Sequence, residues 1–393
     1  MKAYVLGAGV SKTVGYPLAR ELFDDIGAFL ARGETDEAAA PLGPEWREVC
    51  EWLENNRDPL LAQAYRTKDL EVVLTVLDLA LTLEYDTIHS LAVRQGGKRT
   101  ASTVFLDRET TPFFHSTDPY RRAHRAILKG LEAFLRSKHC EDLSAFPGTD
   151  WQHMRRFAGK LGVGDLVITF NYDATVERAL LDRGMWNPED GYGFRVSLSK
   201  LKTDPSPIGS PPSGVTVVHL HGAGGWYAKL FGNLWTTKRD WRPPPPNYEE
   251  FARAAAAEPV SLDDRFLKGL GIEAHDPWFW PGLDANQYQV LLYPSFVKAF
   301  GWEGHSAALV KAWRLAAEAL RKAEDITVIG YSLPEADSAA RTLLLTNCDP
   351  GKLTVVNKDP EAVRRLWRLF KPFTLREEPK LFEQWLDEVP DRS

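Results

Sequence analysis

An α/β fold, a parallel sheet flanked by helices, is predicted by three features of this chain. A short apolar run, Lys2-Ala-Tyr-Val-Leu6, enters a glycine turn, Gly7-Ala-Gly-Val-Ser11, and then a helical pattern. Strand-like apolar runs return at Asp165-Leu-Val-Ile-Thr-Phe170 and Val215-Thr-Val-Val-His219. Strand and helix patterns alternate again from about residue 307 to the end.

Each element follows from local chemistry. The first helix is expected over about Gly15 to Leu30, where Leu18, Leu22, Ile26 and Phe29 recur at helical spacing. Residues 31 to 160 lack strand alternation. Asp69 to Leu77 and Tyr120 to Leu135 are amphipathic, and Gly96-Gly-Lys-Arg99 and Pro112 mark loops between them. A helix is expected over Ala174 to Leu181. Residues 204 to 212 are a proline-rich loop, and 236 to 285 are irregular, with prolines from Pro243 to Pro246 and the aromatic run Pro277-Trp-Phe-Trp-Pro281. That composition reads as a packed loop in preference to an SH3-type ligand. A helix over Ala307 to Ala323 leads to the strand Asp325-Ile-Thr-Val-Ile-Gly330; a helix after Pro334, the strand Leu353-Thr-Val-Val-Asn357 and a helix from Pro360 complete the pattern. The expected division is therefore 1–30 for the first strand, turn and helix of the core, 31–150 for a helical insertion or cap, and 151–393 for the rest of the core, with a Pro/Trp-rich insertion near 236–285.

Composition removes several function classes. The 393 residues allow two or three units of ~150 residues, or one large α/β domain with insertions. With 44% hydrophobic and 26% charged residues the chain is neither disordered nor collagen-like. Its formal net charge is −6, and no long basic run is present, so direct nucleic-acid binding is not expected. Cys50, Cys140 and Cys348 are too few for a four-cysteine zinc site and too sparse for a secreted disulfide framework, so neither a zinc module nor any other metal is expected. The apolar stretch from Val72 to Leu83 contains Thr75 and Asp78 and is too short for a bilayer span. Lys2 runs directly into the strand before Gly7, leaving no signal-peptide core. A soluble cytoplasmic protein is the expectation, with no membrane association.

Four motifs carry the candidate chemistry. Gly7-Ala-Gly-Val-Ser11 lets backbone N–H groups approach a phosphate, where a helix dipole favours negative charge. Lys12 stands where a third glycine of G-x-G-x-x-G would fall, and a plain turn between strand and helix accounts for the motif equally. Thr169-Phe-Asn-Tyr-Asp173 ends a strand, at the sheet edge where α/β proteins bind ligands. Asn171 and Asp173 either face a ligand there or cap the next helix. His219-Leu-His-Gly222 puts two histidines on one face of a strand end, a spacing open to metal ligation, to a general base or to a structural role. Gly330-Tyr-Ser-Leu-Pro334 and Val356-Asn-Lys-Asp359 are two more strand ends, readable as a second ligand-contacting edge or as a turn and a cap.

In this order the motifs resemble the sirtuin superfamily, and most closely its bacterial sirtuin-like branch, whose members hydrolyse NAD in antiphage defence. Three further segments are similar to that branch: Asp69-Leu-Glu71-Val-Val-Leu74, Tyr293-Pro-Ser-Phe-Val-Lys298 and Ile329-Gly-Tyr-Ser-Leu-Pro-Glu-Ala-Asp337. Sirtuin deacylases carry a zinc module and an acyl-lysine channel, neither of which is found in this sequence, so the resemblance points to NAD cleavage.

The resemblance implies a Rossmann-like core and NAD as substrate. Gly7, Ala8, Gly9 and Ser11 would cradle its phosphates. Asn171 would hold the nicotinamide ribose, and Asp173 would take the nicotinamide side or order the site. His221 would be the base, and Gly330, Ser332 and Asn357 would hold the adenosine half. It also implies an off state set by homo-oligomerisation or by a partner, a HerA-type hexameric ATPase or a short Argonaute, with the length of the chain favouring the ATPase. The rival readings are an NAD-dependent protein deacylase or ADP-ribosyltransferase, and a non-catalytic NAD or ADP-ribose-binding module.

Overall fold

The computed structural model describes residues 1–18, 20–32, 42–80, 119–140, 149–194, 196–198, 213–229, 261–262, 287–291, 306–334, 337–371 and 375–391. Its centre is a six-stranded, wholly parallel sheet. The strands are β1 (Lys2–Leu6), β2 (Leu166–Thr169), β4 (Thr216–His219), β8 (Asp325–Ile329), β9 (Leu353–Val356) and β10 (Arg376–Glu378), and their spatial order is β10-β9-β8-β1-β2-β4. Taken in chain order, the six strands lie 3-2-1-4-5-6, the Rossmann arrangement. The register puts Leu6 beside Thr169 and Ile329, and Thr169 beside His219, so these strands end at one level. β1, β2, β8 and β9 read as nearly continuous apolar runs, interrupted mainly by threonine, because their side chains are buried on both faces.

Helices flank this sheet. α7 (Thr149–Lys160) and α12 (Phe382–Glu388) bring Phe157 and Trp385 against Tyr4 of β1, at ring-centroid distances of 5.6 and 6.4 Å. α9 (Ser306–Lys322) donates the Trp313 indole N–H to the Leu220 carbonyl at 2.8 Å. α8 (Thr175–Leu181), α10 (Ser338–Asn347) and α11 (Pro360–Leu369) connect or follow the later strands.

The first helix differs from the sequence expectation. α1 is a single turn, Ala8–Ser11, continued by a 3-10 turn that Gly15 ends at φ +86°. The next helix, α2, starts only at Leu22. Its Leu22, Phe23, Ile26, Phe29 and Leu30 do not join the sheet. They share a second hydrophobic core with α3 (Leu42–Glu54), α4 (Pro59–Arg66), the helix α5 at residues 70–80, and α6 (Pro119–Cys140). By packing, α2 therefore goes with the helical insertion, and the division falls near Gly15 in place of residue 30.

A second, mixed sheet was not foreseen. Its order is β3 (Ser197–Leu198), β6 (Ser261–Leu262), β5 (Gly222–Lys229) and β7 (Gln287–Leu291). β5 begins immediately after His221. Most of the Pro/Trp-rich stretch at 236–285 and the segment Tyr293 to Lys298 lie outside the described residues.

Candidate functional site

The predicted site residues converge on the carboxyl ends of five adjacent strands. Across the sheet they run from His221 after β4, through Asn171 and Asp173 after β2 and Gly7 to Ser11 after β1, to Gly330 and Ser332 after β8 and Asn357 after β9. At about 4.8 Å per strand, four strand steps span roughly 19 Å. The chain leaves β1 toward β2 and β4, then returns to lay β8 on the other side of β1. That reversal is the position at which open parallel sheets bind ligands.

The glycine turn is held by the neighbouring strand. The Gly7 N–H donates to the Ile329 carbonyl at 3.1 Å, and the Gly9 N–H to the Gly330 carbonyl at 3.0 Å. A Cβ on Gly7 would stand 2.4 Å from Tyr331 Cα, and one on Gly9 2.9 Å from the Gly330 oxygen. Gly330 answers with φ +61°, and Leu333, three residues on, holds a strained φ of +48°. The two glycines are thus required by a backbone-to-backbone contact, and their N–H groups are already spent.

Asn171, Ser11 and Asp173 form one network. The Asn171 side-chain amide donates to the Gly7 carbonyl at 3.0 Å and to Ser11 Oγ at 2.8 Å. Ser11 Oγ donates to Asp173 Oδ2 at 2.5 Å. The other Asp173 oxygen accepts from the Thr175 N–H at 3.1 Å and the Thr175 hydroxyl at 2.5 Å. Asp173 is buried and fixes Thr175, the first residue of α8, but the N-cap itself is Ala174, which makes no side-chain cap bond; Asn171 does not cap the helix either and instead ties β2 to the glycine turn.

The two histidines separate by environment. His219 is wholly enclosed. Its Nε2 lies 2.5 Å from Oε1 of Glu177, also fully buried, and its Nδ1 lies 3.0 Å from the Asn171 carbonyl. Burial by itself would lower its pKa, but the Glu177 carboxylate, the Asn171 carbonyl and the charge of Asp173 together raise it. His221, 8% exposed, points into a different group. Its Nε2 lies 3.4 Å from Asp337 Oδ2, which also accepts from the Tyr331 hydroxyl at 2.8 Å. Phe170 stacks on Tyr331 at 4.2 Å and meets the His221 ring at 5.2 Å; Tyr172 lies 6.2 Å from it.

Sequence reading gave no role to Asp337, Tyr331 or Phe170. Asp337 also caps α10, its Oδ1 accepting from the Ala340 N–H at 3.3 Å, and that cap is the local signal that could have found it. Nor did sequence reading foresee that the helical layer reaches the site. Tyr172 packs against the second core, and Glu71 of α5 is close enough for its charge to act on the Tyr172 and Tyr331 hydroxyls. Both phenols have pKa values well above the usual tyrosine range, through burial first and then Glu71 and Asp337.

At the far edge, the Asn357 amide donates to the Tyr331 carbonyl at 3.1 Å, and its Oδ1 accepts from the Asp359 N–H at 3.0 Å. Ser332 is exposed, and its carbonyl accepts from the Arg365 guanidinium at 2.8 Å. Among the described residues no cluster of three or more His, Cys, Asp or Glu side chains is placed to hold a metal, and no helix is long and apolar enough to cross a membrane.

Fold and site together define an α/β protein of Rossmann strand order with polar residues gathered at its switch point. Compared with known proteins, the chain matches no family model and no curated sequence.

Proposed function

We propose that this chain is a sirtuin-like NAD glycohydrolase that cleaves NAD to nicotinamide and ADP-ribose. One observation carries the reading. The residues that the resemblance assigns to the nicotinamide ribose, the diphosphate and the adenosine lie in that same order across five neighbouring strand ends. They cover a distance on the scale of an extended dinucleotide.

The chemistry asks little of the protein. The bond between the nicotinamide nitrogen and ribose C1′ breaks, and its electron pair leaves with nicotinamide, which departs neutral. Water adds to the oxocarbenium-like C1′, and its surplus proton passes to a base. His221 would take that proton, with Asp337 behind its ring, and Asn171, its amide held by the Gly7 carbonyl and Ser11, would orient the ribose. Phe170, Tyr172 and Tyr331 form an aromatic wall that excludes bulk water. Orientation and a single base suffice, and no metal takes part in the proposal.

Free NAD hydrolysis is toxic, so the reading includes a gate. In it the chain is the NAD-depleting effector of an antiphage system, works in the cytoplasm as a homo-oligomer, and is switched by a HerA-type hexameric ATPase or a short Argonaute. The packing of Tyr172 on the helical layer, with Glu71 beside the site, supports that layer as the moving part. The test is to incubate the protein with NAD, alone and with the product of a neighbouring gene, and to assay free nicotinamide. Release that requires an acylated peptide would favour a deacylase. Tight NAD binding without release under every condition would favour a binding module.

A further inference from the structure

We infer that His219 and Glu177, which the proposed reaction does not use, are positioning residues that hold Asn171 through its backbone carbonyl. The inference rests on the NAD-cleaving reading for its kinetic consequence, while its structural half stands alone.

The geometry of the pair is directional. The Asn171 carbonyl can only accept, so the His219 Nδ1 at 3.0 Å must carry a proton. The Nε2 faces a carboxylate at 2.5 Å, and a proton lies between them as well. One chain of hydrogen bonds thus runs from Glu177 through the ring to Asn171, ending one residue from the site wall. From there the Asn171 side chain reaches Gly7 and Ser11. Tyr192 and Trp226 close around the ring at 5.9 and 5.5 Å, and the Tyr192 hydroxyl donates to the same Glu177 oxygen at 3.3 Å.

The arrangement is costly for a purely structural purpose. Glu177 is fully buried, and its second oxygen has no partner among the described residues. Buried charge without full hydrogen bonding opposes folding, and an apolar pair of the same volume would fill the space without that cost. What an apolar pair cannot do is donate to the carbonyl of Asn171. Burial opposes a charged His219 ring, but the Glu177 carboxylate and the Asn171 carbonyl outweigh it and raise the His219 pKa, the direction that a ring donating at both nitrogens requires.

Two isosteres separate the roles. The amide nitrogen of Asn occupies the place of Nδ1, and that of Gln the place of Nε2. His219→Asn keeps the donor to Asn171 and abandons Glu177. His219→Gln keeps Glu177 and abandons Asn171. The inference predicts that His219→Gln loses roughly 10- to 100-fold in kcat for nicotinamide release with KM nearly unchanged, the scale of a misplaced orienting group. His219→Asn keeps most of its kcat although it melts lower. The double variant His219→Asn/Glu177→Gln, which leaves no buried lone charge, serves if His219→Asn fails to fold. The same proteins, labelled with 15N-asparagine, report the Asn171 side-chain amide directly. Its two signals should persist in the Asn variants and average in His219→Gln. If activity and amide signals instead follow melting temperature, with His219→Gln the better variant, the inference is overturned. If the wild type releases no nicotinamide under any condition, the NAD reading falls and the amide signals alone decide this one.

Discussion

Replacing Gly7 with alanine distinguishes the two explanations of the glycine turn. If the glycine were present to admit a pyrophosphate, the ligand-free protein would be indifferent to one methyl group. In the structure that methyl would lie 2.4 Å from Tyr331 Cα, 2.7 Å from its Cβ and 2.8 Å from the Gly330 oxygen. Carbon contacts are comfortable at about 3.5–4.0 Å, so the β8 loop must retreat by roughly an ångström. Gly7 has φ −117° and ψ −179°, an extended conformation open to any residue, so the penalty is steric and not conformational. Overpacking of this kind costs about 1–3 kcal/mol. Retreat also strains the bonds from Gly7 to Ile329 and from Gly9 to Gly330, each contributing about 0.5–1.5 kcal/mol. A total near 2–6 kcal/mol is a large share of the ~5–15 kcal/mol that holds a typical domain together. Urea unfolding of ligand-free wild type and Gly7→Ala measures it through the midpoint. An unchanged midpoint, with NAD binding lost, would refute the packing argument and return the glycine to the ligand.

Three other variants test the network. Asn171→Asp removes both side-chain donors and sets a carboxylate against the Gly7 carbonyl, so it should lose nicotinamide release and about 1–3 kcal/mol of stability; helix-capping spacing alone gave no reason to expect the second loss, and calorimetry checks it. Asp337→Asn preserves the α10 cap but withdraws the negative charge beside His221, so melting should change little while turnover falls, as parallel melting and rate measurements would show. Glu177→Gln tests the buried pair by pH. The folded pKa of His219 lies above the ~6.5 of an unfolded imidazole, so the pair's stabilisation is complete below that value and fades as pH rises through the folded one. The wild type should therefore exceed Glu177→Gln in melting temperature most at mildly acidic pH, with the gap narrowing in alkali; a gap that widens there would contradict the assignment.

Much of the sheet was legible because parallel strands buried on both faces are nearly all apolar, as in Ala3 to Leu6 and in Ile326 to Ile329, where Thr327 is the one polar residue. β10, Arg-Glu-Glu, was not legible. It is an exposed edge strand that follows β9 through its backbone and needs no apolar side chain. β5 was hidden by its glycines, since Gly222-Ala-Gly-Gly carries no strand signature until β7 pairs with it. The first helix was placed too early because the periodicity of Leu18 and Leu22 crosses a break that Gly15 and Pro17 impose. In the site, Asn171, Asp173 and His221 stood out as polar residues at strand ends. Their partners did not. Glu177 sits within a helix whose facing residue cannot be read from one sequence, and Asp337 meets His221 only after the sheet folds. The glycine turn was ambiguous for the same reason: the atoms that require it belong to a loop more than three hundred residues away along the chain.

The most direct test of the account is nicotinamide released from NAD by the wild type and by His221→Ala, each with the candidate partner present and each shown to be folded. The account predicts release by the wild type and a fall of roughly 10²–10⁴-fold in His221→Ala, the range of a positioned general base. No release from the wild type under any condition, or full release from a folded His221→Ala protein, would contradict it.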